Sequence, residues 1–198
     1  MEANNQQEPS AIDEFLPEIF DREAKGYLMD ALTIPAVAIQ SFSMDEAQAR
    51  AAVTFVADIF KEVYLQGGLK VLGMIEDHVL YAYALVFAEP NAPQLPVYLH
   101  KIFVMEQYRG NGLGRHLMEA MLEEFGSMAL FCPADKVSFY ASLGFVEQGY
   151  SRPKDPKFKL SDHLYSDLVL MTNNADADTA PLFLLNDNDL FGALGLKK

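Results

Sequence analysis

Val97-Tyr98-Leu99-His100-Lys101-Ile102-Phe103-Val104 is followed by Gln107-Tyr108-Arg109-Gly110-Asn111-Gly112-Leu113-Gly114-Arg115, and then by a periodic stretch ending at Phe125. The first run is short, rich in β-branched and aromatic residues, and preceded by Pro96, which reads as a strand. In the last part Leu113, Leu117, Met118, Met121, Leu122 and Phe125 recur at spacings of three and four, the single apolar stripe of a helix. Asn111 is the expected N-cap and Gly126 the expected stop. Glycines therefore fill the joint between a strand end and a helix start. Without a Cβ the backbone there can turn sharply and approach a ligand. Its N–H groups lie at the positive end of the helix dipole, an arrangement that binds phosphate. Arg109 and Arg115 add positive charge on the same edge.

Three phosphate-binding loops can be compared with this one. A P-loop ends in Gly-Lys-Ser/Thr, whereas this loop ends in Gly114-Arg115-His116. A dinucleotide loop, G-x-G-x-x-G/A, is met at Gly110 and Gly112, but Arg115 stands where the helix must pack closely on its strand. Asp135 lies at the spacing of a ribose-binding acid, which keeps a nucleotide oxidoreductase as a weaker alternative. The third pattern fits throughout. Gln107-x-x-Gly110-x-Gly112 after an apolar strand resembles the acyl-CoA signature Q/R-x-x-G-x-G/A of the Gcn5-related N-acetyltransferase (GNAT) family. Further on, Phe139-Tyr140-Ala141-Ser142-Leu143-Gly144-Phe145 resembles that family's F-Y-x-x-L-G-F segment. The two pieces stand in the family's order, with one strand-length segment between them.

The resemblance implies an α/β (α+β) fold: a mixed, mostly antiparallel central sheet flanked by helices, here with helical N- and C-terminal extensions. It also implies acetyl transfer from acetyl-CoA, as co-substrate, to an amine that attacks directly. Backbone N–H groups of Ile102, Phe103 and Val104 would then hold pantetheine and polarise the thioester. Gln107, Arg109, Gly110, Asn111, Gly112, Leu113, Gly114 and Arg115 would hold the phosphates. Tyr140 would be the general acid toward the leaving sulfur, although packing on one helical face with Val137 and Ala141 would explain the same residue. Glu106, His100, Glu76 and Tyr81 are the positions from which a base could come. One departure stands out: many family members carry an asparagine about seven residues before the tyrosine, and here that residue is Pro133. A non-catalytic acyl-CoA-binding regulatory protein on the same fold is the alternative.

Working outward, the chain divides into an N-terminal extension at 1–32, partly helical, an acyl-CoA N-acyltransferase domain at 33–172, and a linker with a helical tail at 173–198. Pro17 and Gly26 are expected to break the helical stretch from Ala11 to Leu32 into pieces. Pro35 to Phe42 reads as a first strand, and Ser43 with Glu46 as a capping box for a helix running toward Leu65. On that helix Phe55, Ile59, Phe60 and Val63 form the inner face. Leu69 to Ile75 and Val79 to Phe87 read as a hairpin around Glu76-Asp77-His78. Met128 to Phe131 reads as a buried strand, Asp135 to Leu143 as a helix, and Val146 to Tyr150 and Tyr165 to Thr172 as the last strands. A charged loop with Lys154, Lys157 and Lys159 joins these last two. Pro181 to Leu196 is apolar enough to dock as a short helix.

With 51% hydrophobic residues the chain is not of the disordered class. The single cysteine, Cys132, allows no internal disulfide and reads as a small buried hydrophobe. No His, Cys or acid cluster has metal-ligand spacing. The N-terminus has no signal- or transit-peptide character, and no apolar run reaches membrane-spanning length. A soluble cytoplasmic protein is expected, and a homodimer is open. A net charge of −13 repels nucleic acid and anionic membranes. The expected partner is a small-molecule or peptide amine.

Overall fold

The computed structural model describes residues 10–149, 156–158, 164–165, 167–174 and 185–195. The elements in order are α1 (Leu16–Ala31), α2 (Pro35–Ser41), α3 (Glu46–Leu65), β1 (Leu69–Glu76), β2 (Val79–Phe87), β3 (Val97–Val104), α4 (Leu113–Phe125), β4 (Met128–Pro133), α5 (Val137–Ala141), β5 (Val146–Glu147), β6 (Leu168–Thr172) and α6 (Asp187–Ala193). Six strands form one sheet in the order β1-β2-β3-β4-β6-β5. All neighbours are antiparallel except β3 and β4. This is the mixed, mostly antiparallel sheet expected. A dinucleotide-binding doubly wound sheet needs a parallel neighbour on each side of its first strand. β3 has one only, so the oxidoreductase reading falls.

β2 shows how the sheet holds the molecule together. Successive side chains of a strand point to opposite faces. Tyr83, Leu85 and Phe87 therefore enter one core, with Phe60 and Val56 of α3 and Ile19, Phe20 and Tyr27 of α1. Ala82, Ala84 and Val86 enter the other, with Leu117, Met118 and Met121 of α4. The alanines let α4 lie close to the sheet. At the β1–β2 turn Asp77 and His78 both have positive φ, 49° and 59°, the pairing of a two-residue hairpin turn.

Several sequence expectations are corrected. Pro35 to Phe42 is a helix, not a strand: Ile34 and Val37 are buried while Ile39 is 72% exposed, a spacing of three rather than two. The cap of α3 is Asp45 rather than Ser43. Asp45 Oδ1 accepts from Gln48 N–H and Gln48 Oε1 accepts from Asp45 N–H, both at 2.8 Å. Ser43 instead donates to the Gln40 carbonyl. Phe55 faces outward enough to be 38% exposed, and Ala52, Val56 and Phe60 are the buried face of α3. Pro17 lies in the first turn of α1, where the missing N–H costs nothing, and Gly26 sits inside the unbroken helix. The expected Asp135 to Leu143 helix is a 3-10 turn at Ala134–Lys136 followed by α5. The last strands are shorter than expected. Residue 150, Lys154, Lys159 and residues 181–184 and 196 of the expected tail segment lie outside the described residues. The tail helix itself is α6, whose Leu190 and Ala193 are buried. Gly192 passes so close to Phe55 that an added Cβ would stand 2.9 Å from its Cζ. Among the described residues no helix is long and apolar enough to cross a membrane.

Candidate active site

The site begins with a strand pairing that stops early. β3 and β4 are in register only at Val97–Met128, Tyr98–Ala129 and Leu99–Leu130. Beyond those pairs β3 runs on to Val104 and β4 to Pro133 without a shared ladder. On its other side β3 carries a bulge: Leu99 faces Val86 and Lys101 faces Leu85, so His100 is the extra residue. A bulge bends its strand and re-aims the residues beside it. A cavity of about 650 Å³ opens at the split. Leu99 to Ile102 and Leu130 to Pro133 form its strand walls, and Phe139 and Tyr140 of α5 and Gly114 of α4 close one side. Glu23, Gly26, Tyr27 and Asp30 of α1 close another.

Of the glycine loop, Gly114 borders the cavity. Gly110 and Gly112 have φ of 83° and 77°, left-handed values that favour glycine. Gly112, not Asn111, is the N-cap of α4. Asn111 turns its amide back to donate to the Tyr108 carbonyl at 3.1 Å. The first helical bonds run from Arg115 and His116 N–H to the Gly112 carbonyl. The N–H groups of Leu113 and Gly114 thus stand in the open first turn, where a helix has no carbonyls of its own to offer. Arg109 folds over the end of β3, its Nε donating to the Val104 carbonyl at 3.1 Å and its guanidinium 5.7 Å from the Phe103 ring. Arg115 reaches across to α5. Its Nη2 donates to Ser142 Oγ at 3.0 Å, and its guanidinium lies 5.8 Å from the Phe139 ring. The loop and the Tyr140 helix, far apart in sequence, are joined by this arginine. Gln107 is exposed in a 3-10 turn.

Of the residues expected from sequence, Ile102, Gly114 and Tyr140 line the cavity together. Phe103 faces the opposite way, stacked on Tyr83 at 5.4 Å. Tyr140 is half-buried between Phe139 and Phe145. Desolvation, helped by nearby Cys132, pushes its phenol up to about 12, so it stays protonated across the physiological range. Pro133 occupies the rim, and Asp135 is paired with Lys136 at 2.6 Å. Cys132 is buried, its thiol raised by desolvation. Among the described residues no group of His, Cys, Asp or Glu could hold a metal ion.

Glu106, Glu76 and Tyr81 do not line the cavity. Tyr81 instead packs edge-on against Tyr108 at 4.4 Å. His100 does line it, but its ring sits among Phe60, Phe87 and Tyr98. Desolvation, and secondarily the Lys101 charge, lowers its pKa to about 3, too low for a base at neutral pH. The consequence is measurable. An unfolded chain takes up this proton from about pH 6.5 downward, while the native state takes it up only near 3. The stability is therefore complete above pH 6.5 and is lost as pH falls. Denaturant unfolding should show a loss of about 1–2 kcal/mol between pH 7 and pH 5 that His100→Phe removes.

Sequence reasoning missed Glu23. It is 5% exposed, on the sheet-facing side of α1. Tyr83 Oη donates to its Oε1 at 2.5 Å, and Lys101 Nζ is 3.8 Å from Oε2. The signal was present: Ile19, Phe20, Glu23, Ala24, Tyr27 and Ala31 make one buried face, and a carboxylate within it needs an explanation.

A family model described as acetyltransferase (GNAT) domain matches residues 40–155. No curated protein matches the sequence. Among solved structures, the histone acetyltransferase HPA2 and related acetyltransferase from Corynebacterium glutamicum is similar in fold at 14% identity and a TM-score of 0.51. It covers 85% of this chain and 94% of its own. The PaiA N-acetyltransferase of Thermoplasma acidophilum, solved with coenzyme A, aligns at 14% identity and TM-score 0.47 over 85% and 96%. The Escherichia coli ribosomal-protein-S18-alanine N-acetyltransferase aligns at 18% identity and TM-score 0.43 over 71% and 96%.

Proposed function

The chain belongs to the GNAT acetyltransferase family, and from that premise we propose that it is an N-acetyltransferase working at the split between β3 and β4, with acetyl-CoA as donor and an amine as acceptor. The observation that carries this reading is that Tyr140, the end of β3 and Gly114 of the glycine loop border one cavity. The residues present fit the donor. The loop N–H groups and the charges of Arg109 and Arg115 suit its phosphates, and the open edge of β3 suits the amide-bearing pantetheine. Acetyl-CoA supplies the thioester carbonyl that the amine attacks and the sulfur that leaves.

The polarised carbonyl and the leaving sulfur then each have a group, and the ammonium gives its protons up to solvent. Backbone N–H groups near Ile102 polarise the carbonyl as charge moves onto its oxygen. The C–N bond forms, the C–S bond breaks, and Tyr140 gives its proton to the departing sulfur. An ammonium acceptor sheds two protons on becoming an amide. One is balanced by the proton the sulfur gains, the other goes to solvent, and Tyr140 is reprotonated from solvent. With its phenol pushed up to about 12, Tyr140 is protonated at neutral pH, the form that can donate.

The alternative, an acyl-CoA-binding protein without catalysis, draws on Pro133 standing where many family members carry asparagine. Thiol release from acetyl-CoA, followed over a panel of primary amines, separates the two. The proposed enzyme releases thiol only when amine is present, and an absence of amine-dependent release across the panel would favour the binding protein.

A further inference from the structure

We infer that helix α1 forms the acceptor wall of this cavity, with Glu23 as the carboxylate that receives the acceptor's ammonium group. The acceptor would be a monocationic primary amine with an apolar, ring-sized body. This rests on the acetyl-transfer reading above and adds a segment that lies outside residues 40–155, where the family model matches.

Geometry comes first. Glu23, Gly26, Tyr27 and Asp30 fall at i, i+3, i+4 and i+7, one face of a helix, and all four border the cavity. Arg22 fixes this face against the sheet: its guanidinium lies 4.8 Å from the Phe103 ring, and Nη1 is 3.2 Å from Met105 Sδ. A Cβ built on Gly26 meets no atom within 4 Å. A glycine inside a helix costs roughly 0.5–1 kcal/mol relative to alanine, and here the space it leaves belongs to the cavity.

Charge comes second. A carboxylate this buried must be matched. Tyr83 donates to Oε1, and Lys101 forms an ion pair with Oε2 at 3.8 Å without reaching hydrogen-bond distance. Among the described residues no donor bonds to Oε2, which leaves it able to accept one from an ammonium in the cavity. Asp30, exposed at the rim two helical turns on, adds a second negative charge. Lys101 and Lys136 border the same space. A polyamine would meet their repulsion at each of its charges, whereas a single ammonium meets it once and has the carboxylates of Glu23 and Asp30 to offset it. Tyr27, Tyr98, Phe131 and Tyr165 supply flat apolar surface for that body.

The test uses 2-phenylethylamine and its neutral analogue 2-phenylethanol as probes, titrated calorimetrically into the full chain with and without CoA. The expected result is binding of the amine, tenfold or more weaker binding of the alcohol, and a loss of tenfold or more in amine affinity for Glu23→Gln. The glutamine keeps an oxygen for Tyr83. Gly26→Leu, which raises helix propensity, should block the amine by filling the wall. Both variants should keep the wild-type thermal shift with acetyl-CoA. Unchanged amine affinity in Glu23→Gln and Gly26→Leu, or equal affinity for amine and alcohol, would overturn the inference. A failure of acetyl-CoA to stabilise the wild type would strike the donor reading instead, and is read in a separate titration.

Discussion

Replacing Tyr140 by phenylalanine should lower kcat for amine acetylation by about 10²–10⁴-fold, the range for loss of a positioned general acid. The thermal shift with acetyl-CoA should stay as in the wild type, because the ring still fills its place between Phe139 and Phe145. A purely packing role gives the opposite pattern. The isosteric ring would then leave turnover intact, and only a truncation such as Tyr140→Ala would have an effect. The pH profile adds an independent readout. With the phenol pushed up to about 12, the wild-type rate should show no decline near pH 10 assignable to this residue. A descending limb there that vanishes in Tyr140→Phe would mean an ordinary, solvated phenol, which the enclosed setting does not give.

Phe60→Ala should be the most damaging single core change. Phe60 is fully buried and touches three parts of the molecule. It stacks on Phe20 of α1 at 6.3 Å, lies 6.3 Å from Phe87 of β2, and lies 5.8 Å from His100 at the bulge of β3. Its removal leaves a void bounded by a helix and two strands that cannot all close on it. The expected loss is about 3–5 kcal/mol in denaturant unfolding, where large-to-small aromatic substitutions fall. For a chain of this size that corresponds to a fall in Tm of roughly 6–20 °C. Phe60→Leu, which keeps most of the volume, should cost clearly less. A loss for Phe60→Ala under about 1 kcal/mol would mean that α1 and α3 do not share one core with the sheet.

The contrast between α1 and α4 shows what sequence could and could not give. The glycine loop and α4 were legible because their signals are local: a strand, glycines needing positive φ, and an apolar stripe at spacings of three and four. The hairpin was legible for the same reason, since Asp77 and His78 sit between two apolar runs. α2 was misread because its apolar run is short, and periods of two and three are hard to separate over seven residues. Only the burial of Ile34 and Val37 against the exposure of Ile39 decides it. Pro17 was read as a break when it is a start, since proline is tolerated in the first turn. The cap at Asp45 was displaced by two residues toward Ser43 because both positions offer a cap oxygen and a reciprocal side chain three residues on.

The site divides along the same line. Motifs alone point to Tyr140 and the loop as candidates. That Gly114 and Tyr140 border one cavity depends on the early end of the β3–β4 ladder, a tertiary fact with no local signature. Glu23 lay in a stretch read only as an extension. A charged residue on an otherwise apolar helical face was the clue, and it gains meaning only once Tyr83, 60 residues away in sequence, is seen to donate to it. Position along the chain makes His100 a candidate base, and its enclosure among aromatic rings removes it.

We propose that the split between β3 and β4 is built for acetyl-CoA. A thermal-shift titration of the full chain with acetyl-CoA, run beside NADH and ATP, tests it most directly. The expected result is a saturable rise in stability with acetyl-CoA alone, of about 2.7 kcal/mol at a hundredfold excess over the dissociation constant. No rise at millimolar acetyl-CoA, or a larger rise with NADH, would contradict it.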